Sequence, residues 1–184
     1  MNREEALNLL RENLKDPNLI KHSLAVEAAM RELAKYFSED EERWGICGLL
    51  HDIDYEKTKG DPNSHSKIGS EILKNLGFEE EIYEAVLTHN EAHRIKPKSK
   101  MAKALFSLDP LTGLIVAATL VLPSKKINDL RVENILNRMK EKSFAKGVNR
   151  EIIKNCEDFL NLDLEKFIEI TLKAMQEISG DLGL

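Results

Sequence analysis

An all-α fold follows from three features of the sequence. Apolar residues recur at steps of three and four, the period of a helix face, and no run alternates for long as a half-buried strand does. Asp-Pro pairs and other capping residues divide the chain into stretches of helical length. The longest apolar run, Leu111 to Leu122, is 12 residues against the ~20 of a membrane span, so it reads as a buried core helix.

Taken in order, Asp16-Pro17 has the form of an N-cap followed by the first helical residue and opens a helix through about Phe37. Ser38 with Glu41 makes a capping-box pattern for a helix reaching about Asp52. Asp61-Pro62 opens the next helix, which ends near Gly77. Glu79 to Glu81 suit the positive end of a helix running to about His93, and the basic IKPKSK stretch is the connector after it. Further helices are expected near 99–108, 110–122, 129–143, 149–160 and 163–179, with caps at Asn149 and Asp163.

The 184 residues suit a single domain with a core over about 17–122 and a C-terminal helical extension over about 123–184. A net charge of -5 lacks the basic excess that extended nucleic-acid contact needs, so no long DNA or RNA partner is expected. Cys47 and Cys156 have no metal-like spacing, and MNREEALNLLREN is too charged for a signal peptide. A cytoplasmic protein with no membrane partner is expected.

GLLHDIDYEK, residues 48–57, sets His51 and Asp52 at the end of an apolar helix, where burial is costly unless the two are paired. The other histidines point the same way. His22 shares a face with Ala25, Val26, Ala29, Met30 and Leu33; His65 with Ile68, Gly69, Ile72, Leu73 and Leu76; His89 with Ile82, Ala85 and Val86. Asp109 follows Leu105 by one turn and Ala102 by two. Any one of these histidines has a plainer reading as a hydrogen-bonded core residue, and Asp109-Pro110 repeats the cap pattern. Together, His22, His51, Asp52, His65, His89 and Asp109 suggest one inward-facing cluster. A divalent ion would supply the missing charge; imidazoles and carboxylates suit Fe, Mn, Ni, Co or Zn, as one or two ions. At such a centre an ion activates water for attack on a phosphoryl group, and Asp52 could bridge to a second ion held by His65 and His89.

The pattern His22, His51-Asp52, Asp109, with HDIDYEK, HSKIGSEIL and LDPLTGLIVAA, resembles the HD-domain superfamily of metal-dependent phosphohydrolases over about residues 20–122. The resemblance implies a helical bundle with additional C-terminal helices, a metal held between helices, and hydrolysis of a small phosphate ester or nucleotide. Asp52, His65 and His89 are then the expected catalytic residues, His65 and His89 being similar to the additional histidines of the two-metal, HDIG-like subgroup. Asp54 stands where that subgroup often has glycine, His89-Asn90 replaces a histidine pair, and there is no GYP signature. Lys142, Lys146 and Arg150 are the expected substrate-binding cations, near a loop suggested by Ser143, Gly147 and Asn149. His93 is a candidate proton donor, with a surface histidine as the plainer reading. An iron-dependent oxygenase built on a similar centre and a non-catalytic ligand-binding module remain the alternatives.

Overall fold

The computed structural model describes residues 1–184 and contains helices but no strands. Nine helices have seven or more residues: α1 (Arg3–Asn13), α2 (Pro17–Phe37), α3 (Glu41–Leu50), then, after the single turn α4 (Tyr55–Thr58), α5 (Lys67–Asn75), α6 (Glu80–His89), α7 (Lys100–Leu120), and beyond it α8 (Val132–Lys140), α9 (Arg150–Leu160) and α10 (Leu164–Glu177). A last turn, α11, spans Ser179–Leu182.

Local chemistry accounts for several helix starts. Asp16 accepts from Asn18 N at 2.8 Å with Pro17 at the first helical position, as expected of α2. Ser99, Asn149 and Asp163 cap α7, α9 and α10 in the same way. Helix α1, not among those expected from the sequence, opens on a reciprocal capping box between Asn2 and Glu5.

Four expected boundaries differ. Ser38 ends α2 in the left-handed region (φ 57°), and Asp40, not Ser38, caps α3. Asp61-Pro62 does not open a helix: Asp61 accepts from Asn63 N and Ser64 Oγ, closing a turn, and α5 begins only at Lys67. His65 therefore lies in a turn, and its supposed partners Ile68 and Leu76 are exposed. The helix ending at His89 stops short of His93, where a separate 3-10 turn spans Glu91–His93. Asp109-Pro110 divides nothing. Pro110 sits inside a continuous α7, because its fixed φ is compatible with a helix and the burial of α7 outweighs one missing backbone hydrogen bond.

Helix α7 is the centre of the bundle, packed by α2, α6, α8, α9 and α10. Its length and composition would suffice to cross a membrane, but 61% of its most apolar window is buried in the fold, as a core helix requires. One hydrophobic cluster takes side chains from Ala6 in α1 to Leu182 in α11. Helix α2 lies along α3, and Gly48 makes that approach possible, since a Cβ there would stand 2.9 Å from the Val26 carbonyl oxygen. Arg3 and Arg31 both pair with the buried Glu27, tying α1 to α2 behind this contact.

Candidate metal centre

His51 closes α3 and His89 closes α6, and both use a feature of helix ends. The last carbonyls of a helix lack an intrahelical partner. His51 Nδ1 donates to Gly48 O at 2.8 Å, and His89 Nδ1 donates to Val86 O at 2.6 Å, each three residues back. His22, on the buried stripe of α2, donates from Nδ1 to Thr112 Oγ1 at 3.3 Å, while that hydroxyl donates to Asp109 O. Each ring is thus oriented, with Nε2 left to face the cluster.

The Nε2 atoms converge on carboxylates. His22 Nε2 lies 3.0 Å from Asp109 Oδ1 and 3.2 Å from His51 Nε2. Asp52 Oδ2 lies 3.4 Å from His51 Nε2 and 3.6 Å from His22 Nε2. Donors about 2.1 Å from one ion stand about 3.0 Å apart in octahedral and about 3.4 Å apart in tetrahedral geometry. The spacings among His22, His51, Asp52 and Asp109 fit that requirement. The other oxygen, Asp52 Oδ1, lies 3.3 Å from His65 Nε2 and 3.4 Å from His89 Nε2. Asp52 therefore divides its carboxylate between two pairs of imidazoles. His51, Asp52 and His89 also gather with their donor atoms within 4.8 Å of one another.

Electrostatics agree with geometry. Burial alone would push His51 down, but the charges of Asp52 and Asp109 overcome it and hold the imidazole near 9. Burial likewise opposes the charge on His65, yet Asp52 and Asp54 raise it to about 10. Asp52 and Asp109 are held well below the usual carboxylate range, the surrounding imidazoles outweighing desolvation. Four imidazoles and two ionised carboxylates without a lysine or arginine among them form a donor set suited to a divalent cation.

The centre opens into a cavity of about 500 Å³. Leu19, Phe106, Pro110, Val148 and Ile152 supply its apolar wall, Tyr55 and Asn90 stand beside His65 and His89, and Gly113 and Gly147 leave space. The expected substrate cations are elsewhere. Lys142 and Lys146 are exposed and do not line the cavity. Arg150 points away from it, donating to the carbonyls of Glu141, Phe144, Ala145 and Val148, so that it shapes the loop whose Gly147, Val148 and Asn149 do face the cavity. Arg94, Lys96, Lys98 and Lys100 do not line it either.

His93 is half-buried, and its Nε2 lies 2.7 Å from the His65 carbonyl and 2.9 Å from Ser66 Oγ, which makes it a brace for the turn carrying His65. Asn90 Nδ2 donates to the same carbonyl and to Pro62 O. Glu56 accepts from the backbone N–H groups of Lys15 and Asp16. The residue missed by the sequence reading is Asp54, whose fully buried carboxylate accepts from His65 Nδ1 and Gly69 N. Its signal was present in HDID, a second acidic residue two positions after the first.

Fold and site together define an all-helical protein with a histidine-carboxylate cluster that could hold a divalent metal. The family model described as HD domain matches residues 19–147, and the chain belongs to that family. Among curated proteins, it is 31% identical over 140 residues to Ribonuclease Y of Oleidesulfovibrio alaskensis, covering 73% of this chain and 26% of that protein. It is 30% identical over 138 residues to Ribonuclease Y of Lawsonia intracellularis, with the same coverage. An uncharacterized protein of Methanocaldococcus jannaschii is 40% identical over 84 residues, covering 43% of this chain and 48% of that protein. The chain thus spans about a quarter of the Ribonuclease Y relatives. No solved structure gives a significant match.

Proposed function

We propose that the protein is a metal-dependent phosphohydrolase acting on a small phosphate ester, with nucleotides among its substrates. The division of Asp52 between two imidazole pairs carries this reading, because it offers a bridging carboxylate between two ion positions. His22, His51, Asp52 Oδ2 and Asp109 would hold the first ion, and Asp52 Oδ1, His65 and His89 the second. Divalent ions at such a centre supply a water of near-neutral pKa and polarise phosphoryl oxygens. The protein's own residues orient the donors through fixed Nδ1 contacts, and Leu19, Phe106 and Pro110 shield one side of the cavity from water.

The absence of lysine and arginine from the cavity lining leaves phosphate recognition to the ions themselves. The cavity volume suits a ligand of about mononucleotide size. The test is a panel of nucleoside monophosphates, dinucleoside polyphosphates and generic mono- and diesters with protein of verified metal content. Hydrolysis should be abolished by EDTA and restored by Mn²⁺, Fe²⁺, Co²⁺ or Ni²⁺. A negative panel with metal-loaded protein would overturn the reading.

A second reading, phosphodiester cleavage in RNA, is favoured by the name of the relatives, Ribonuclease Y. It runs against the expectation of no nucleic-acid partner drawn from the acidic composition. Oligoribonucleotides belong in the same panel: their cleavage in preference to every mononucleotide and generic ester would favour RNA as the substrate.

A further inference from the structure

Each cluster imidazole donates its Nδ1 proton to a fixed acceptor, but the acceptors differ in kind. His51 and His89 use helix-end carbonyls, and His22 uses a threonine hydroxyl. His65 stands outside a helix, and the carbonyl three residues back, Pro62 O, accepts from Asn90 Nδ2 instead of from the ring. Its acceptor is Asp54 Oδ1 at 2.9 Å, the one charged acceptor of the four.

Asp54 is fully buried, and no lysine or arginine pairs with it. Its other oxygen accepts from Gly69 N at 2.8 Å, in the first turn of α5, where the helix dipole favours an anion. Gly69 permits the approach, since a Cβ there would already be 3.3 Å from Asp54 Cγ. Asn90 and His93 hold the backbone of the same turn from the other side, so the freedom left to His65 is rotation of its ring.

We infer that Asp54 is a positioning residue that fixes His65 with the proton on Nδ1 and Nε2 aimed at Asp52 Oδ1, and so sets the affinity of the second ion position. This rests on the reading of His65 as a ligand. An outer carboxylate of this kind orients the ring, fixes its tautomer and raises its donor strength. Asparagine would fill the same volume with one acceptor oxygen instead of two. With that oxygen on Gly69 N–H, the amide NH₂ faces Nδ1 and drives the proton to Nε2, where it blocks coordination. With the oxygen on His65, the NH₂ opposes Gly69 N–H.

The experiment is Zn²⁺ titration with calorimetric and elemental stoichiometry on wild type, Asp54→Asn and His65→Ala, with thermal melts as the check on folding. Wild type should take two ions and His65→Ala one. Asp54→Asn should weaken the second step about 10- to 100-fold and leave the first within about 2-fold. Wild-type affinity at both steps in Asp54→Asn, with one ion lost in His65→Ala, overturns the role of Asp54 alone. Equal weakening of both steps also overturns it, as the mark of a purely structural residue. Two ions in His65→Ala, or one in wild type, overturns the ligand assignment beneath it. Imidazole nitrogen NMR of Zn²⁺-loaded wild type needs no variant: His65 should carry its proton on Nδ1, and a proton on Nε2 overturns the proposal.

Discussion

Asp52 is the residue on which the centre turns, since each of its oxygens serves a different imidazole pair. Asp52→Ala removes a carboxylate from both proposed ion positions at once and should bring the metal content of purified protein close to zero by elemental analysis. Unchanged metal per chain would contradict the assignment. Arg150 tests the opposite kind of residue, one expected at the substrate and found in the scaffold. Its guanidinium donates to four carbonyls of the 141–148 loop, so Arg150→Ala should lower stability by about 1–3 kcal/mol. Metal content should be unchanged, and KM should rise because Gly147, Val148 and Asn149 lose their support. Chemical denaturation, elemental analysis and steady-state kinetics on one preparation would check all three. The position of Lys142, Lys146 and Arg150 outside the cavity lining was not legible for one reason: sequence shows that a side chain is cationic, but the direction of a loop residue has no period.

At the scale of elements, the centre depends on how closely α2 and α3 approach, because His22 is on one and His51 ends the other. Gly48→Ala would set a Cβ 2.9 Å from Val26 O and 3.1 Å from Glu27 Cα, against backbone that yields little. The helices should part slightly, at a cost of about 1–3 kcal/mol in stability, and the first-ion affinity should fall because His22 and His51 no longer share one ion's geometry. Urea melts with metal titration measure both; a destabilised variant with wild-type affinity would show that the α2–α3 spacing does not govern the site. Asp16, Asn149 and Asp163 were legible as caps because capping acts within one turn of chain. Asp61-Pro62 and Asp109-Pro110 carry the same dipeptide as Asp16-Pro17 and do otherwise, one closing a turn and the other lying inside α7. Packing decides between these outcomes, since proline tolerates each of them.

On the scale of the whole molecule, the candidate metal centre joins α2, α3, α7, the turn before α5 and the end of α6, so ions bound there would tie distant parts of one bundle together. Ions that bind the folded chain alone should raise its stability, by about 2.7 kcal/mol at a free concentration 100 times the dissociation constant. Thermal melts should therefore shift upward with Mn²⁺ or Zn²⁺ and return on adding EDTA, while Asp52→Ala shows no shift. Identical melts with and without metal in wild type would argue against an ion at this position.

The helical class, the buried faces of α2, α6 and α7, and the inward placement of His22, His89 and Asp109 were determined by sequence alone, because a helix repeats every 3.6 residues and that period is written locally. His51-Asp52 was legible for a related reason, as polar residues ending an apolar helix. His65 was assigned to the cluster correctly but on a mistaken helical register. Only tertiary structure decided that its turn meets Asp52, that Asp54 backs it, that Arg150 holds a loop, and that no lysine or arginine lines the cavity. Those contacts join residues from different segments or depend on loop geometry, and neither leaves a period along the chain.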